Sequence, residues 1–89
     1  MSTAKSPAHA HRFVEEYDGF VGFGLDRPTD ENTVIYYLQK FSDDTLARTM
    51  VERMADEELE SLYSLINALM QRHLNDTEYH RLFLKEAHP

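Results

Sequence analysis

The segment from Asp56 to His73 constrains this chain more than any other. Leu59, Leu62, Tyr63, Ile66, Leu69, Met70 and His73 recur at intervals of three and four, the spacing that lines residues along one side of an α-helix. Leu65 and Ala68 widen that stripe. The charges agree with a helix. Asp56, predicted as its cap, is followed by Glu57, Glu58 and Glu60, while Arg72 and His73 lie at the far end, the order that the helix dipole favours. A helix apolar over so much of its girth needs neighbours on more than one side. The whole chain has 89 residues, one domain's worth. A chain of that size buries only roughly 60–65% of the surface it exposes when unfolded. It has no cysteine, so neither disulfides nor thiolate metal sites thicken the core, and cysteine catalysis is excluded. In so thin a monomer such neighbours are scarce, which points to a second chain. The sequence therefore predicts a homodimer with this helix near the interface.

Three further helices are expected around it. Pro28 opens the clear punctuation, with Thr29 or Asp30 as cap of a helix over 30–41 containing Val34, Ile35, Leu38 and Phe41. Ser42 or Asp43 caps the next, over 43–54, where Leu46, Ala47, Met50, Val51 and Met54 share a face. On its outer side Asp44, Arg48 and Glu52 stand four apart, as in an ion-pair ladder. The third is the helix described above, over 57–74. Asn75 or Asp76 opens the last, over 77–86, and Asn75 with Glu78 has the spacing of a capping box. Short connections between helices favour antiparallel neighbours. The expected fold is all-α: a small antiparallel bundle of about four helices over 29–89, preceded by a flexible tail over 1–12 and an arm over 13–28. The arm is rich in Gly and Phe and reads as extended, with a short helix from about Ala8 to Asp18 as the alternative. The expected core is Val34, Leu38, Phe41, Leu46, Met50, Leu59, Leu62, Ile66, Leu69, Leu82 and Phe83.

Charge narrows the partners. The net charge is −7, and residues 42–60 carry −5 of it, with seven acids against two bases. No segment forms the basic stripe that a phosphate backbone or an anionic membrane requires, which argues against nucleic acid and membrane as partners. A helix-turn-helix fails for the same reason, because its reading helix would begin Asp56-Glu57-Glu58. No apolar run is long enough for a bilayer span or a signal-peptide core, so the expected location is cytoplasmic.

Little of the sequence supports chemistry. The glycines of Gly19-Phe20-Val21-Gly22-Phe23-Gly24 follow neither the dinucleotide-binding nor the phosphate-loop order. No Glu has a His three residues on, which excludes the di-iron carboxylate motif, and no calcium-binding loop pattern is present. Ser42, Ser61 and Ser64 read as caps or helix-surface residues rather than nucleophiles. Metal binding is the one alternative function with candidate ligands: His73, Asp76 and His80, with His9, His11 and His88 as accessories. On one continuous helix His73 and His80 would stand about 10.5 Å apart along the axis, so they converge only if the chain turns at Asn75–Asp76. The primary expectation is a non-catalytic module that self-associates and binds protein. Phe20 and Phe23 of the arm and Tyr63, Leu65 and Met70 of the long helix are its candidate contact residues, with no cofactor.

Overall fold

The two longest helices begin where the polypeptide supplies carboxylates for N–H groups that a helix leaves unpaired. The computed structural model describes residues 9–86, and in those residues all regular structure is helical. The elements are α1 (Phe13–Glu16), α2 (Arg27–Phe41), α3 (Asp44–Arg53), α4 (Asp56–His73), α5 (Asp76–Glu78) and a π-helical turn, Tyr79–Phe83. The chain divides into two units, Met1–Glu52 and Arg53–Pro89.

In the first unit, Asp26 caps α2: its carboxylate accepts the Thr29 N–H at 2.8 Å. The expected cap was Thr29 or Asp30. The true start lies earlier because Pro28 sits in the first turn, where its missing N–H has no helical partner to lose. Arg27 and Glu31, four apart, pair at 2.7 Å on the surface. Asp43 supplies the next start, accepting the Leu46 N–H at 3.0 Å. Asp44, Arg48 and Glu52 do not close into the expected ladder; the Lys and Arg pairs among the described residues are Arg12–Glu16 and Arg27–Glu31.

The arm is partly helical. Its first residues form α1, where Phe13 stacks on Tyr17 at 4.8 Å between ring centroids, and the rest runs irregularly along α2. Val14 N–H donates to Gln39 at 2.9 Å, Gly22 exchanges two hydrogen bonds with Thr33, and Gly24 N–H donates to Asp30 at 2.8 Å. Residue numbers fall along α2 as they rise along the arm, so the arm runs back against the helix. The interval of three from Asp30 to Thr33 to Tyr36 to Gln39 drifts by about 60° per step round the helix, so the contact line is oblique. Gly24 turns the chain away with φ 101°, a conformation that side-chain-bearing residues rarely adopt.

In the second unit, α4 begins at Asp56 with Ala55 as the flanking residue rather than Asp56 as cap. Alanine has no side-chain oxygen to offer, and the start is held from the other direction: the Glu58 carboxylate accepts the Ala55 N–H at 2.9 Å. Asn75 and Glu78 form the expected reciprocal box, with Glu78 N–H donating to Asn75 at 2.8 Å and Asn75 N–H to Glu78 at 3.0 Å. The helix that follows does not run regularly to residue 86. It widens into the π-helical turn and ends at Lys85, whose φ of 61° is left-handed.

The predicted core does not form within the chain. Of its eleven residues, Leu46 is half-buried and the other ten are exposed. No hydrophobic side chain among the described residues is buried; the one buried residue is Thr33. The reason lies in what each long helix meets in its own unit. The arm bonds to α2 through backbone N–H groups and polar side chains, leaving Val34, Ile35, Leu38 and Phe41 uncovered. In the second unit Leu59, Leu62, Leu65, Ile66 and Leu69 of α4 likewise stay exposed.

Candidate interaction surfaces

The arm leaves two aromatic rings, Phe20 and Phe23, largely exposed. Tyr17 Oη donates to the Phe20 carbonyl at 2.7 Å, fixing the bend before Phe20. Tyr17 also lies 6.0 Å from the Tyr36 ring, and Lys40 Nζ stands 5.2 Å from the centre of that same ring. Beside these contacts Phe20 and Phe23 stay 62% and 73% exposed. The Phe20 ring lies over Gly22 at the place where a β-carbon would stand. Phe23 borders a shallow depression with Arg27, Asp30, Glu31, Val34 and Ile35, an apolar floor rimmed by charge.

The three candidate residues of α4 do not share one face. Tyr63 and Met70 are seven apart and lie on one side, whereas Leu65 is about 160° round the helix from Tyr63. Tyr63 is 72% exposed and Leu65 56%, while Met70 is half-buried. Met70 lies in a depression with Asn67, Gln71, Leu74, Asn75, Asp76 and Tyr79, formed where the chain turns back after α4. Tyr79 is stacked on Phe83 at 5.3 Å, which holds its ring there.

Sequence reasoning missed Thr33, Asp30 and Gln39, the residues that hold the arm. Their spacing of three on a helix beside a glycine-rich stretch was the available signal.

The candidate metal ligands are not assembled. Among the described residues no three His, Asp or Glu side chains form a group that could hold an ion. The chain does turn at Asn75, yet Asp76 and His80 line a depression with Thr77 and Glu86, and His73 is not part of it. His80 Nδ1 lies 2.8 Å from a Glu86 oxygen. His9 and His11 are exposed, with ring centroids 6.5 Å apart, and His88 lies outside the described residues. One carboxylate is electrostatically distinctive: the Thr29 backbone N–H, and then its hydroxyl, hold the Asp26 carboxyl below its usual range. That is a cap's signature rather than a catalyst's. No helix among the described residues is long and apolar enough to cross a membrane.

Comparison with protein-family models, with curated proteins and with solved structures gives no match.

Proposed function

We propose that this protein is a non-catalytic interaction module that works as a homodimer, its helices completing a bundle only when two chains meet. The carrying observation is the absence of any buried hydrophobic side chain among the described residues, together with the exposed Leu59, Leu62, Leu65, Ile66 and Leu69 on one helix. Burying a leucine or isoleucine fully is worth about 1.5–3 kcal/mol, and these five, 38–56% exposed, would each gain part of that on association. Helix α4 supplies the dimer contact, and the arm supplies a second surface for a protein partner, through Phe20 and Phe23. The acidic stretch over 42–60 favours a basic partner and faster encounter at low salt.

Light scattering coupled to size exclusion tests the dimer. The expected mass is about 21 kDa, twice the 10.4 kDa of one chain, persisting on dilution. A mass of 10.4 kDa across the concentration range removes the proposal. Replacing Phe20 and Phe23 with Ser tests the arm. Proteins captured by the native chain should be lost with the dimer intact; unchanged capture means that the arm is not the binding surface.

A further inference from the structure

We infer that two copies of this chain pair through α4 in antiparallel orientation, along a seam of Glu58, Leu62, Leu65, Leu69 and Arg72. The inference rests on the self-association proposed above and adds its partner geometry. The five residues follow intervals of four, three, four and three, so they keep to one line as the helix turns. At 1.5 Å per residue the seam is about 21 Å long.

This is the side of α4 that its own unit leaves open. The depression under Tyr79 is bordered by Asn67, Met70, Gln71 and Leu74, centred about 170° round the helix from the seam. Leu62, Leu65 and Leu69 are 45%, 56% and 43% exposed, and Glu58 and Arg72 are exposed as well.

The charges choose the second copy and its direction. Leu65 stands seven residues from each end of the seam. A twofold axis beside Leu65 sets Glu58 of one chain against Arg72 of the partner subunit, and does so at both ends. The leucines then meet leucines between them. A parallel pair would set Glu58 against Glu58 and Arg72 against Arg72. Reversal also brings the acidic first turn, Asp56 to Glu58, to the end of the partner helix that carries Arg72 and His73, and it opposes the two helix dipoles. Both charged groups are available for this. One oxygen of Glu58 holds the Ala55 N–H, leaving the other, and Arg72 takes part in none of the ion pairs of its own chain among the described residues.

Because the chain has no cysteine, introduced thiols report the orientation without interference. Full-length Glu58→Cys and Arg72→Cys variants are mixed, exchanged and mildly oxidised at low ionic strength. The expected product is a disulfide-linked pair carrying one variant of each kind, whose opposite end keeps Arg72 facing Glu58. Glu58→Cys oxidised alone should stay uncross-linked. Cross-linking of Glu58→Cys alone means a parallel pair and overturns the inference while leaving the dimer standing. A dimeric mass with no cross-link in any mixture also overturns it, by showing that the contact lies elsewhere. A monomeric mass of the unmodified chain overturns the dimer and this inference together.

Discussion

Thr33 does the work in the first unit that a hydrophobic residue would do in a larger protein. It is 5% exposed, and its hydroxyl both accepts from Gly22 N–H at 3.1 Å and donates to Gly22 C=O at 3.0 Å. Thr33→Val keeps the volume and removes both bonds, leaving two backbone groups of Gly22 without partners. The expected cost is about 1–2 kcal/mol in urea or thermal unfolding, with faster proteolytic cleavage of the arm. Asp26 gives a pH dependence of defined sign. Its carboxyl is held below the usual 3.8 by the Thr29 N–H, so its capping contribution is present above that value and lost as pH falls through the lowered one. Titrating helicity below pH 4 should show this step in the native chain and not in Asp26→Ala; identical acid curves would remove the cap assignment. The Asn75–Glu78 box was readable because both partners lie within one turn of chain. Thr33 was not, because its partner lies eleven residues away, across a bend that no local pattern announces.

At the scale of elements, periodicity and charge placed α2, α3 and α4 to within a few residues, since each begins at an Asp- or Glu-rich turn and repeats its apolar residues at helical intervals. The errors sit where local rules compete. Pro28 was read as preceding its helix although it is tolerated inside the first turn. The segment after Asn75 was read as a regular helix, yet Leu84 N–H bonds back to the Tyr79 carbonyl at 3.0 Å, one residue further than an α-helix allows. No spacing rule separates these two helices. The chain leaves this turn through Lys85 in a left-handed conformation that glycine adopts without strain. Lys85→Gly should therefore stabilise the end of the chain, by about 0.5–1 kcal/mol after the unfolded chain's added freedom is subtracted. A lower thermal midpoint for this variant would show that the lysine side chain holds the turn. The candidate contact residues divide similarly. Phe20 and Phe23 could be named from composition, but Tyr63, Leu65 and Met70 were grouped by being apolar on one helix, and the helical angle separates Leu65 from the other two.

For the whole molecule, the failed core prediction and the proposed dimer have the same origin. The sequence contains enough apolar residues for a core, and their spacing marks the helices that carry them. It could not say whether the covering surface comes from the same chain. If a second chain covers α4, folding and association are coupled, and stability must rise with protein concentration. Leu65, at the midpoint of the seam, is the position where one change is felt twice in a twofold pair. Leu65→Glu sets two carboxylates against each other at the centre of the apolar contact. It should shift the mass in solution from about 21 kDa to the 10.4 kDa of one chain and abolish the concentration dependence of the thermal midpoint. Tyr63→Glu, on the other side of α4, is the matched control and should leave the mass unchanged. Salt separates the two components of the contact. A contact held mainly by leucines keeps its mass in 1 M salt, where the Debye length is about 3 Å and exposed Glu–Arg pairs are screened. Dissociation at that salt level would instead mean that Glu58 and Arg72 supply the affinity and the leucines do not. Equal loss of mass in Leu65→Glu and Tyr63→Glu would place the contact around the whole of α4 rather than along one seam.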